Sequence, residues 1–236
     1  MSVTPEAAAL FPDATITGTD LSPVQPTEVP HNVHFLVEDA TEAEWLWDDN
    51  YFDYIRLNNM TGSLPSVTHV MQKAWRALKP GGWLEWHEID PTNRCDDDSM
   101  PPFDPNAEGF CQYALHDWLD LSERAAEQSD RIFIIANQLA DGMKEVGYVD
   151  VDDQATKVPL NPWPKDPRMK SWGSWYESNW LDALSAWSYK PLLALGWSKP
   201  EIEVFLVSVR KCISDRHYHV YHHFHRVTAR KPLPGE

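Results

Sequence analysis

Leu78-Lys79-Pro80-Gly81-Gly82-Trp83-Leu84-Glu85 limits what this chain can fold into more than any other stretch. Proline lacks the N–H that a helix interior needs and clashes with the preceding turn, so a helix must stop before Pro80. Two glycines then turn the backbone without steric cost. The spacing predicts a helix from about Pro65 to Leu78, a tight turn, and a strand from Trp83 to Glu88.

The rest of the first half continues that rhythm. Thr4-Pro5-Glu6 reads as a helix start, with a short helix running to about Phe11. Strands are expected at 14–19, 33–38 and 51–57, the last ending in the polar group Arg56, Asn58 and Asn59. Strand, connection, strand, helix, strand is the pattern of a parallel α/β sheet. Pro91 to Pro105, with Asp96-Asp97-Asp98, reads as a solvated loop. Helices are expected at 110–128, 132–146, 169–194 and 199–212, and strands at 148–158 and 217–230. No internal repeat or linker separates a second domain, so the reading is a single domain over 1–236, with lid elements at about 91–130 and 160–195.

Composition narrows the partners. With 36 acidic and 20 basic residues the formal charge is −16, which argues against nucleic acid and against an anionic membrane surface, since both require a basic face. No run reaches the roughly 18 apolar residues of a membrane span. Met1 to Asp20 lacks the basic-then-apolar order of a signal peptide. Cys95, Cys111 and Cys212 are odd in number and widely spaced, which fits a reducing compartment, cytoplasmic or nuclear rather than secreted. Six tryptophans fall between Trp163 and Trp197. Helical spacing makes most of them packing residues, although flat rings also line pockets for planar ligands. His217, His219, His222, His223 and His225 look like a metal cluster, but along a strand successive same-face side chains lie too far apart to converge easily on one ion; no metal is expected.

Several motifs in order carry a family resemblance. Gly18-Thr19-Asp20-Leu21-Ser22-Pro23, Phe52-Asp53-Tyr54-Ile55, the Leu78–Gly82 turn, Lys157-Val158-Pro159-Leu160, Pro162-Trp163-Pro164-Lys165-Asp166-Pro167 and Ala229-Arg230-Lys231-Pro232 together resemble the fungal LaeA-type branch of class I S-adenosylmethionine-dependent methyltransferases. The resemblance runs from about Leu10 to Pro232. It implies an α/β, Rossmann-like methyltransferase fold with a mostly parallel sheet, an antiparallel terminal strand and a helical lid, and it implies S-adenosylmethionine as cofactor.

In such folds ligands lie outside the carboxyl ends of the strands. By resemblance Asp20, with Leu21 beside it, binds the ribose hydroxyls, Asp39 accepts from the adenine amino group with Ala40 near the ring, and Arg56 and Asn58 belong to the cofactor or substrate shell. Read from the residues alone, Asp20 and Asp39 are also ordinary turn aspartates. His87 and Glu88 end the strand after the Leu78–Gly82 turn and point to opposite faces. Their position marks them for substrate contact or for proton removal from an acceptor, and histidine has the right ordinary pKa for a base. A structural role for His87 is the competing reading.

The family also places a strand and a glycine-rich turn before the strand at 14–19, and no residue before Gly18 is glycine. The first strand of the sheet is therefore expected to be missing. Cofactor binding is expected to be weak or lost in the chain as it stands, unless a protein partner completes the sheet or the chain is a shortened form of a longer protein. Two functions follow: a methyltransferase of fungal secondary metabolism acting on a small-molecule or protein acceptor, or an inactive methyltransferase-like regulatory subunit.

Overall fold

The computed structural model describes residues 4–23, 25–106 and 108–236, with the side chains of 4–6 set aside. The chain forms two compact units, Met1–Trp47 and Asp48–Glu236, where the sequence reads as one domain. In the first unit a short helix, α1 (Thr4–Leu10), precedes two parallel strands, β1 (Ile16–Asp20) and β2 (Val33–Val37). Asn32 ties the entry to β2 back to the end of α1 and the start of β1, donating to the carbonyls of Phe11 and Ala14.

The second unit is built on a four-stranded sheet in the order β3-β4-β6-β5: β3 (Phe52–Asn58), β4 (Leu78–Arg94), β6 (Tyr221–Arg230) and β5 (Val149–Pro159). β3 runs parallel to β4, and β6 is antiparallel to both β4 and β5. The antiparallel terminal strand thus matches expectation, but the single expected sheet is two. β1 bonds only to β2, and β3 bonds only to β4, so each keeps one edge without ladder partners among the described residues.

The Leu78–Gly82 turn differs in detail from its sequence reading. Leu78 already pairs with Phe52, and Trp83 pairs with Tyr54, so the turn is a bulge inside β4 rather than a separator before it. Gly81 has φ +81, and a Cβ on Gly82 would lie 2.9 Å from the Lys79 carbonyl. The preceding helix, α2 (Val67–Ala77), is capped by Ser66, whose hydroxyl accepts from His69 N–H at 3.2 Å. It buries Val67, Val70, Met71, Ala74 and Ala77, the i, i+3, i+4, i+7 stripe of a helix lying on a sheet.

Lys231 closes this turn from the other end of the chain. It is buried, with Nζ donating to the carbonyl of Leu78 at 2.8 Å and to Asn50 Oδ1 at 3.0 Å, 4.1 Å from the Trp75 ring centroid. Lys231→Met keeps the stem and leaves both oxygens without that donor. The expected loss is roughly 2–3 kcal/mol, read as a lowered urea midpoint with an unchanged slope; a midpoint equal to wild type would contradict this account.

The remaining helices are α3 (Ala114–Gln128), α4 (Leu139–Val146), α5 (Pro167–Ala194) and α6 (Lys199–Ser214). α4 begins later than the sequence pattern indicates. Ile132 is drawn into an antiparallel bridge with Leu64, and its N–H is spent on the Leu64 carbonyl instead of a helix. α6 opens as its sequence reads, with Ser198 and Glu201 forming a reciprocal capping box. Helices α3, α5 and α6 share one apolar core with Leu160 and Val220, and Ile89 of β4 packs against it. Some of the lid aromatics serve that core. Tyr176 and Trp180 are buried, with the Trp180 ring edge-on to Trp118, while Trp175 is 69% exposed. The flat-ligand reading of these rings thus loses its support from Tyr176 and Trp180.

Candidate functional site

In the first unit, the parallel register that pairs Asp20 with Val37 places Asp20 and Asp39 at the same carboxyl end of β1 and β2. Each carboxylate also shapes its own turn. Asp20 Oδ1 accepts from Ser22 N–H at 2.9 Å. Asp39 Oδ1 accepts from the N–H of Thr41 at 2.8 Å and from its hydroxyl at 2.7 Å. The turn role and a ligand role are compatible, because a carboxylate offers about four lone-pair sites. Leu21 is 67% exposed, and the carbonyl of Ala40 accepts from the indole N–H of Trp45 at 3.2 Å.

In the second unit, the pleat of β4 separates two clusters. Leu84, Trp86, Glu88 and Asp90 are buried. Glu85 and His87 lie on the opposite face, with Arg56 facing them from β3. Arg56 Nη2 is 2.7 Å from His87 Nδ1. A guanidinium can only donate, so Nδ1 is the bare acceptor and the proton of neutral His87 belongs on Nε2. Glu85 Oε1 stands 2.7 Å from Nε2 but too far off the N–H direction for a good hydrogen bond. Burial, followed by the Arg56 charge, pushes the His87 pKa down, and Glu85 opposes that shift. The same surroundings, burial first and then Glu85, push Tyr54 up to about 12. His87 can take a proton on Nδ1 only if Arg56 moves.

Glu88 differs in every respect. It is wholly buried and accepts four hydrogen bonds: Met60 N–H at 2.7 Å, the Thr61 hydroxyl at 2.8 Å, Ile89 N–H at 3.2 Å and the Trp86 indole at 3.3 Å. Burial raises its pKa and the donors lower it in part. Asn58 pairs in register with His87 and is exposed; Asn59, in left-handed backbone at φ 52, donates its N–H to the His87 carbonyl at 3.0 Å. Arg56, Asn58 and His87 therefore come together beside the carboxyl end of β3, with Glu88 behind them on the buried face; His87 and Glu88 do not end their strand as expected, because β4 stays paired with β6 and runs on to Arg94.

Glu85 was missed as a member of this cluster. Its signal was present in the alternation of β4, since residues 85 and 87 must share a face.

The histidines of β6 and its approach are engaged separately. His222 is buried between Tyr176 and Asn93, His225 rests on Asp153, His219 on Asp97 and His217 on Asp215. Among the described residues no three His, Cys, Asp or Glu side chains are grouped to hold a metal ion.

Comparison with known proteins adds a family to this geometry. The family model described as "Methyltransferase domain" matches residues 3–153. The secondary metabolism regulator LAE1 of Cochliobolus heterostrophus is 30% identical over 230 residues, covering 96% of this chain and 72% of that protein. Protein-methionine methyltransferase laeA of Emericella nidulans is 30% identical over 232 residues, with 97% and 59% covered. Methyltransferase pytC of Aspergillus terreus is 31% identical over 218 residues, with 92% and 64% covered. The chain thus spans only about three fifths of the length of two of these relatives. Among solved structures, Haemonchus contortus phosphoethanolamine N-methyltransferase 2 in complex with S-adenosyl-L-methionine superposes with a TM-score of 0.52 at 16% identity, covering 97% of this chain and 45% of that one. That likeness shows the class I methyltransferase fold. The chain belongs to the methyltransferase-domain family, in the branch of the LaeA secondary metabolism regulators.

Proposed function

We propose that this chain serves S-adenosylmethionine-dependent methyl transfer in fungal secondary metabolism, with a small molecule or a protein as acceptor. The observation that carries the reading is the pair Asp20 and Asp39 at the carboxyl ends of two adjacent parallel strands, the place where such folds bind nucleoside ligands. Two carboxylates suit the donor hydroxyls of a ribose and the amino group of an adenine, so the residues present fit that half of the cofactor. When bound, the cofactor supplies a sulfonium methyl group to an in-line displacement.

The protein's part is then mainly orientation and exclusion of water, with reacting atoms held about 3–3.5 Å apart. In the first unit Asp20, Leu21, Asp39 and Ala40 would hold the nucleoside. In the second unit, taken by itself, Arg56 and Asn58 would present donors near the end of β3, and His87 would serve as base only with Arg56 displaced. The family match runs across residues of both units. Three free cysteines fit a reducing setting, cytoplasmic or nuclear.

A second reading is favoured by the edges of β1 and β3 that have no ladder partner among the described residues. Unpaired edges are templates for another strand. On this reading the 236-residue chain alone binds the cofactor weakly and works as a regulatory subunit or with a partner strand.

Calorimetric titration with S-adenosylmethionine separates the two. The expected result is a Kd weaker than about 0.1 mM for the chain alone, abolished by Asp20→Ala. Micromolar affinity in the isolated chain would refute the need for a completing strand. An Asp20→Ala variant that binds as well as wild type would remove the assigned nucleoside site.

A further inference from the structure

Glu88 presents a physical problem that the proposed activity does not explain. Ionised carboxylates are seldom placed wholly out of solvent, because the charge loses its hydration. The groups acting on Glu88 are hydrogen-bond donors: two backbone N–H groups, one hydroxyl and one indole. Its cross-strand neighbour on β6, His225, is turned to Asp153. Four donors converge on it, and an apolar side chain would leave them without an acceptor, so the task of the carboxylate is read from where those donors come from.

Its strongest bonds identify that task. The two shortest, to Met60 N–H and to the Thr61 hydroxyl, both reach the segment that leaves β3. That segment follows Asn58 and the left-handed Asn59. On its other side it is held by Arg131 and Ile132: Gly62 N–H donates to the Ile132 carbonyl at 3.1 Å, Ile132 N–H to the Leu64 carbonyl at 2.9 Å, and Arg131 to the Ser63 carbonyl. Glu88 is the clamp from the sheet side. With both oxygens taken up by the chain's own donors and no exposed surface, it has no face to offer an acceptor molecule.

We propose that Glu88 is a positioning residue: its carboxylate fixes the backbone of Met60 and Thr61, and so sets the exposed side chains of Asn58 and Asn59 at the carboxyl end of β3. It removes no proton from a substrate. This rests on the methyltransferase reading only for what those asparagines meet; the clamp itself is a property of the free chain.

The test is amide hydrogen exchange, residue by residue, on the 236-residue chain with Glu88→Ala and Glu88→Gln. In Glu88→Ala the Met60 amide should exchange at least tenfold faster, while amides of β4 and β6 such as Leu84 and Val227 keep their wild-type rates. Glu88→Gln keeps one oxygen for Met60 and should fall between, and it serves if the alanine variant does not fold. Unchanged Met60 exchange in the variants overturns the proposal, as does an equal acceleration across the whole sheet. If methyl transfer is detected, Glu88→Gln should raise KM for the cofactor without removing a limb of the pH–rate profile. A lost limb would make Glu88 a base and overturn the assignment. A chain that binds no cofactor refutes the activity and leaves the exchange result standing.

Discussion

Gly173→Ala should destabilise the protein by about 3 kcal/mol or more, although alanine is the better helix former by roughly 1 kcal/mol. Gly173 lies inside α5, and a Cβ there would sit 2.2 Å from the carbonyl oxygen of Asn161, 2.6 Å from its carbon and 3.1 Å from Pro162 N. Those are backbone atoms of a segment that cannot retreat. Asn161 is buried and donates from Nδ2 to the carbonyls of Ile213 at 2.9 Å and Asp215 at 3.1 Å. Leu160 N–H and the Trp163 indole both bond to the Val220 carbonyl. Relief would require α5 to move off the core it shares with α3 and α6. Gly142→Ala is the matched control: its Cβ would meet only the flexible thioether of Met71, with Sδ at 3.1 Å, and should cost under about 1 kcal/mol. Urea unfolding measures both, and equal midpoints for the two variants would sink the argument.

Acid should weaken the fold through His222. Its imidazole is fully enclosed, with Nδ1 2.9 Å from the Tyr176 hydroxyl and Nε2 3.2 Å from Asn93 Oδ1, and the neutral ring meets both by donating from Nε2 and accepting at Nδ1. Burial pushes its pKa down to about 3, with the Arg94 charge adding to the shift and Asp90 opposing it. A histidine with a depressed folded pKa binds fewer protons folded than unfolded. Its stabilising contribution is therefore complete above pH 6.5 and is lost as pH falls from there towards 3. The slope approaches about 1.4 kcal/mol per pH unit, up to roughly 4–5 kcal/mol in all. Unfolding free energies between pH 7 and 4.5 should show this slope in wild type and a flatter one in His222→Gln. Parallel curves would refute the assignment.

Local chemistry was legible where one residue type permits one behaviour. Pro80 and the two glycines turn where their backbone limits require, and Ser198 with Glu201 caps α6. Alternation correctly put His87 and Glu88 on opposite faces, and the terminal strand and its antiparallel sense followed from pattern and resemblance. The site was legible as positions rather than as roles. Asp20, Asp39 and Asn58 stand at or just past strand ends as expected, whereas His87 lies mid-strand because β4 runs on to Arg94, and the sequence neighbours did not reveal that Arg56 holds the Nδ1 of His87.

What the sequence determined by itself was the order and kind of elements, because helix stops, turns and two-residue alternation are set within a few bonds. Tertiary structure alone decided the rest, because it depends on atoms far apart along the chain. Leu78 could be seen to belong to β4 only once Phe52 lay beside it. The late start of α4 was set by the Leu64–Ile132 bridge. Gly173 is indispensable because Asn161 passes 2.2 Å from its missing Cβ, and Glu88 reads as a clamp because Met60 and Thr61, 28 and 27 residues earlier, direct their donors at it.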